Sequence, residues 1–102
     1  MSTNVDATVD EKTKKETKVP SMYKVIFLND DVTPMDWVMS ILVKVFNHSK
    51  NQAEAVTMSV HQEGSGVAGV YSHEIAEQKM SEAVGSTRRK GFPLKVLIEE
   101  EE

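Results

Sequence analysis

Cysteine is absent from the 102-residue sequence, which excludes both a disulfide framework and a thiolate metal site. Long apolar runs are absent too. Nothing reaches the length needed to span a bilayer, and the first residues carry no stretch resembling a signal peptide, so a cytoplasmic protein is expected. Positive charge is scarce: 12 Lys and Arg stand against 16 Asp and Glu, and four of the acids close the chain as Glu99 to Glu102. Nucleic acid and anionic membranes both need a positive surface, so neither is an expected partner. The one basic cluster, Arg88-Arg89-Lys90, is accounted for as the charged end of a helix. Gly64, Gly66 and Gly69 lead into a strand and not into a helix N-terminus, so they make no phosphate-binding loop. No serine sits in a nucleophile elbow. An enzyme is not expected, and no cofactor is implied.

What is present divides unevenly. Met1 to Val19 is polar and charged, with Ala7 and three valines as its apolar side chains after the first methionine. Such a stretch cannot bury enough surface to offset the entropy of ordering it, so it reads as a disordered N-terminal tail. Residues 20–98 then form one domain with a small core and a shallow pocket, followed by an acidic end at 99–102. Tyr23, Val25 and Phe27 alternate with Met22, Lys24, Ile26 and Leu28 in a strand with bulk on both faces, as a central strand requires. Asn29 to Pro34 stops it; Thr33 is placed to cap a helix, with Pro34 in the first helical position and Asp36 in the first turn. That helix carries Val38, Met39, Ile41, Leu42, Val45 and Phe46 and breaks at Asn47-His48. Ser49 and Gln52 make a capping box for a second helix whose face is Ala53, Val56 and Val60, with Gly64 at its end. A short strand over Gly66 to Tyr71 follows. Ser72 caps a third helix with Ile75, Ala76, Met80 and Ala83 on one face; Gly91 and Pro93 end it, and Leu94, Val96 and Ile98 alternate as the last strand. The order strand-helix-helix-strand-helix-strand predicts an α+β fold: a three-stranded sheet packed on one face against three helices.

Three places hold polar groups that a plain fold does not need: Asn29-Asp30-Asp31, His61, and Glu74 with Lys79. Each has an ordinary account as turn residues, a helix-end histidine and a solvated helix face. A metal site built from His48, His61, His73 and the two aspartates is the alternative, but the spacings match no familiar ligand motif.

Longer stretches are more telling. Pro20-Ser21-Met22-Tyr23-Lys24-Val25, then Leu28-Asn29-Asp30-Asp31-Val32-Thr33-Pro34-Met35, then Val60-His61 with Gly64, closely resemble the ClpS family. Gly69-Val70-Tyr71, Glu74-Ile75-Ala76-Glu77 with Lys79, and Pro93-Leu94 match in the same order, so the resemblance spans Val19 to about Ile98. ClpS proteins are adaptors of the ClpA-ClpP ATP-dependent protease that recognise an N-terminal Leu, Phe, Tyr or Trp on a substrate. By matching positions, the resemblance implies that Asn29, Asp30 and His61 contact the substrate's α-amino group and first peptide unit. Asp31 and Thr33 would shape the loop and rim, and Met35, Val38, Val60 and Leu94 would line the cavity. Glu74 and Lys79 would dock on the N-terminal domain of the unfoldase, the tail would serve hand-off, and the adaptor would act as a monomer. Three positions depart from the family pattern: Thr57 stands where a pocket-lining Met is usual, Val32 replaces a larger or more polar residue, and Trp37 replaces Phe.

The chemistry agrees with that implication. A free N-terminus is a cation with three donors, so its receptor needs acceptors, which an amide oxygen, a carboxylate and a neutral imidazole supply. The competing expectation is a regulatory domain that docks on the unfoldase without reading N-termini.

Overall fold

The computed structural model describes residues 21–101; the N-terminal tail expected over Met1 to Val19 lies outside them. Six elements follow in the expected order: β1 (Met22–Leu28), α1 (Met35–Lys44), α2 (Lys50–Glu63), β2 (Ser65–Tyr71), α3 (His73–Arg89) and β3 (Lys95–Glu101). The sheet order is β2-β1-β3, and β1 is antiparallel to both neighbours. The fold is α+β, as its sequence predicts.

Strand alternation sets the layers. Val25 and Phe27 are fully buried, and Tyr23 leans on the same core. Gly66 and Ala68 of β2 are buried beside them, while Val96 and Ile98 of β3 are half-buried. Val38, Ile41 and Leu42 of α1, Ala53 and Val60 of α2, and Ala76 and Ala83 of α3 complete one contiguous cluster. Phe46 packs edge-on against Phe27, with ring centroids 5.5 Å apart. Among the described residues nothing covers the other face of β1. Its Ile26 lies in register between Val67 and Leu97, and these two remain 43% and 47% exposed.

Helix ends mostly follow their expected chemistry. Ser49 and Gln52 form the capping box in both directions, and Gly64 closes α2 in the left-handed region at φ 92°. Asn47, also left-handed at φ 58°, turns the chain after α1, and His48 N–H donates to the Leu42 carbonyl. Helix α1 stops at Lys44, so Val45 and Phe46 fill the core from the turn beyond it.

Two caps differ from expectation. Helix α1 is capped by Pro34, whose carbonyl accepts from the Trp37 and Val38 amides, and Thr33 makes no cap bond. Thr33 belongs instead to the preceding turn, where its amide donates to Asp30 Oδ1 at 2.7 Å. Ser72 occupies the cap position of α3 with no side-chain bond. Ile75, expected on the inner face of α3, is 40% exposed; Ala76, Ala83 and Thr87 are the residues it buries. Trp37 Nε1–H donates to the Thr87 hydroxyl at 2.9 Å, satisfying a polar group that is fully buried.

Gly66 is where β2 comes closest to α2. A Cβ there would lie 2.9 Å from Val60 Cγ2 and 3.1 Å from the Val56 carbonyl oxygen. Gly66→Ala is therefore expected to lower unfolding stability by about 1–3 kcal/mol through overpacking, measured by denaturant titration.

Candidate functional site

Four segments meet at one end of the molecule. Asn29 N–H donates to the Gly64 carbonyl at 2.9 Å, tying the end of β1 to the end of α2. That bond places the Asn29-Asp30-Asp31 loop beside His61 in the last turn of α2. The first turns of α1 bring Met35 and Val38, α2 brings Thr57 and Val60, and Leu94 enters just before β3. The cavity they enclose is lined by Leu28, Asn29, Asp30, Thr33, Met35, Val38, Thr57, Val60, His61 and Leu94. Asp31 lies outside it, at a wider mouth shared with Asn29, Asp30, Thr33, Met35 and His61. Leu28 is the one wall residue that the sequence does not announce, because strand alternation assigns it to the outer face.

The inner space is about 20 Å³ and the mouth about 250 Å³. The former holds a single water, so a bulky side chain enters only if a wall moves. Met35, 40% exposed and the most flexible of the liners, is the one free to swing.

Within the loop the two aspartates take different parts. Asp30 Oδ1 accepts from the amides of Val32 at 2.8 Å and Thr33 at 2.7 Å, which fixes the turn. Burial alone would raise the pKa of Asp30, but the Thr33 and Val32 amides and the charge of Arg88 outweigh it and hold the carboxyl below its ordinary value. Its second oxygen, Oδ2, is buried with no hydrogen-bond partner among the described residues, as is Thr33 Oγ1 in the same wall. Such atoms are rare in folded proteins and mark a place where a partner is missing. Asp31 is exposed, so its carboxylate faces solvent at the rim.

Other polar residues named from the sequence are scattered. His48 bridges the Ala68 carbonyl and Gln52 Oε1, and His73 packs on Tyr23 and Glu77. Of the three histidines only His61 reaches the cavity, and among the described residues no three His, Asp or Glu side chains gather to hold a metal. Among the described residues no helix is long and apolar enough to cross a membrane. Glu74 and Lys79 part company as well. Glu74 is exposed beside Ile75 and Gln78, whereas Lys79 Nζ donates to the Val45 carbonyl at 2.7 Å and sits over the Tyr71 ring. Lys79 thus clamps α3 to the end of α1.

The family model for the ATP-dependent Clp protease adaptor protein ClpS matches residues 18–97. The chain belongs to the ClpS family. It is 46% identical to the ATP-dependent Clp protease adapter protein ClpS of Paraburkholderia xenovorans, over 93% of this chain and 91% of that protein. The ClpS of Hyphomonas neptunium is 44% identical over 89% of this chain and 77% of its own length. Among solved structures, Agrobacterium tumefaciens ClpS2 bound to L-phenylalaninamide superposes with a TM-score of 0.78 and 41% identity, covering 81% of this chain and all of that one. ClpS proteins are adaptors and not enzymes, and that is the class of this protein.

The two aspartates are separable by experiment. Asp30→Ala is expected to cost about 1–2 kcal/mol of stability, and Asp31→Ala less than about 0.5, by chemical denaturation. Because the folded pKa of Asp30 is depressed, its contribution is fully present above the ordinary carboxylate range. It is lost as pH falls through the lowered value, so the gap between the parent and Asp30→Ala should close only in strong acid.

Proposed function

We propose that this adaptor captures proteins by a bulky hydrophobic N-terminal residue, Leu, Phe, Tyr or Trp, and delivers them to a ClpA-type unfoldase for degradation by ClpP. The observation that carries the reading is the buried Asp30 Oδ2, without a hydrogen-bond partner among the described residues, in the wall of a cavity whose mouth also holds Asn29 and His61. A carboxylate so placed is costly unless a cation completes it. An α-ammonium group supplies the charge and three donors. The Asn29 amide oxygen and a neutral His61 accept its other hydrogens, and the exposed Asp31 adds negative charge at the rim. The side chain of the same residue enters the cavity between Val38, Val60 and Leu94.

L-Phenylalaninamide, the ligand of the Agrobacterium relative, has the required parts: a free amine, a benzyl group and an amide in place of the first peptide bond. Charge-assisted hydrogen bonds of about 1.5–3 kcal/mol, with a similar gain from burying Leu or Phe, give micromolar affinity after ordering costs. Neither half suffices by itself. Docking on the unfoldase is assigned to the exposed face around Glu74, with Lys79 holding that helix in place. The segment before residue 20 is assigned to hand-off, and the adaptor to the cytoplasm as a monomer.

Peptides differing only in their first residue test the reading by titration calorimetry. Phe, Tyr, Trp and Leu should bind with a free N-terminus and lose at least tenfold on acetylation. Binding should weaken above roughly pH 8, where a free α-amine with a pKa of about 7.7–8.0 loses its proton. His61→Ala should abolish capture with the unfoldase contact intact. Equal binding of every peptide, acetylated or not, would favour a docking regulator that ignores N-termini.

Met35 stands at the mouth, where it crowds a substrate branched at its β-carbon. Met35→Ala is expected to admit N-terminal Ile and Val while lowering Leu affinity modestly through the cavity it leaves. Unchanged rejection of Ile and Val in the same titration would move the gate to another residue.

A further inference from the structure

The buried liners of the cavity are Val38, Thr57, Val60 and Leu94, with exposures of 4, 2, 4 and 1%. Thr57 is the one polar side chain among them. Its hydroxyl hydrogen is committed, because Oγ1 donates to the Ala53 carbonyl one helical turn earlier at 2.7 Å. A hydroxyl has one hydrogen and two acceptor lone pairs, so what Thr57 retains is acceptor capacity only. The fully buried lining of the cavity therefore combines apolar side chains with one hydroxyl oxygen left free to accept.

That combination discriminates among bulky side chains. Leu and Phe present only C–H groups at their far ends. Tyr carries an O–H there, which in an all-apolar floor would leave water without a partner and weaken binding. An acceptor at the floor reverses this, since a buried donor that finds its partner regains its lost hydration. The geometry points to Thr57 as the residue that makes this cavity prefer an N-terminal tyrosine over phenylalanine. This rests on the capture of N-terminal residues proposed above, and it names which residue is favoured.

The test uses the intact protein and peptides starting with Tyr, Phe, 4-fluorophenylalanine or Leu, together with acetylated Tyr. The fluoro compound keeps the aromatic body and lacks the donor. The parent should bind Tyr about 3–10-fold more tightly than the fluoro analogue, the range expected of one net hydrogen bond. Thr57→Val keeps the branched shape and removes the oxygen; it should bring that ratio to about 1 or below. Thr57→Ser restores the oxygen and should restore the ratio, which a purely space-filling role would not do. Equal binding of Tyr and the fluoro analogue by the parent overturns the inference without any variant. So does a Tyr preference that survives Thr57→Val. If the parent binds Phe and Leu with free amines but shows no Tyr preference, only the Thr57 inference falls. If no free-amine peptide binds, or the acetylated one binds equally, the capture reading falls and takes this inference with it.

Discussion

One backbone hydrogen bond decides whether this molecule has a site at all: the Asn29 amide held by the Gly64 carbonyl. Strand β1 ends there and helix α2 ends there, and each end supplies what the other lacks. The strand leads into a loop with an amide and two carboxylates, and the helix presents an imidazole in its last turn. Gly64 can serve because its left-handed backbone turns the chain sharply after α2. Once the two ends are fixed, Asp30 needs only to gather the Val32 and Thr33 amides for the loop to close over the first turn of α1.

Wall and core are the same residues. Val38, Val60 and Leu94 belong to the single hydrophobic cluster of the domain and also line the cavity. A small domain has no spare apolar layer with which to build a separate pocket. Rigidity on the inside and freedom at the mouth follow from this sharing: the floor is held by packing on Phe27 and Leu42, while Met35 has solvent to move into. Lys79 and Trp37 serve the same end from the helical side. Each spends its polar atom on an internal acceptor, Val45 O and Thr87 Oγ1, and so locks α3 against α1.

Much of this is visible in the chain before any coordinates. Period-two alternation over Met22–Leu28 and the Ser49–Gln52 box specify their elements because those signals are local. The residues around the cavity are legible through resemblance, since the Asn29–Thr33 loop, the helix positions Thr57 and His61, and Leu94 are far apart in sequence and no spacing rule joins these segments. Where the structure departs from the sequence pattern, a competing contact outbids a local preference. Thr33 has the chemistry of a cap, but it lies in the Asp30 turn and Pro34 takes the cap position. Ile75 has helical spacing with Ala76 and Met80, yet the face turned inward is set by Ala76, Ala83 and Thr87. Lys79 reads as a solvated cation until the Val45 carbonyl comes within its reach. Val56 packs against the core as its helical spacing requires, and Thr57, which stands where the family has a pocket-lining Met, completes the buried Ala53-Val60 stripe at the right interval.

Among the described residues β3 is an outer strand of the sheet, and its run past Ile98 to Glu101 sets three consecutive carboxylates along that margin. The opposite margin, β2, is interrupted by a register shift across from Val25 and Ile26. Unpaired strand edges take up any extended chain through its backbone, whatever its sequence. A fence of like charge on one side and an irregular ladder on the other make such adhesion unrewarding. For a protein whose proposed clients arrive as loose chain ends, this matters as much as the pocket does. A receptor meant to be selective about one terminal residue must also be unreceptive everywhere else. Concentrated salt, which shrinks the reach of charge to roughly 3 Å at 1 M, would lower that fence while leaving the apolar cavity intact.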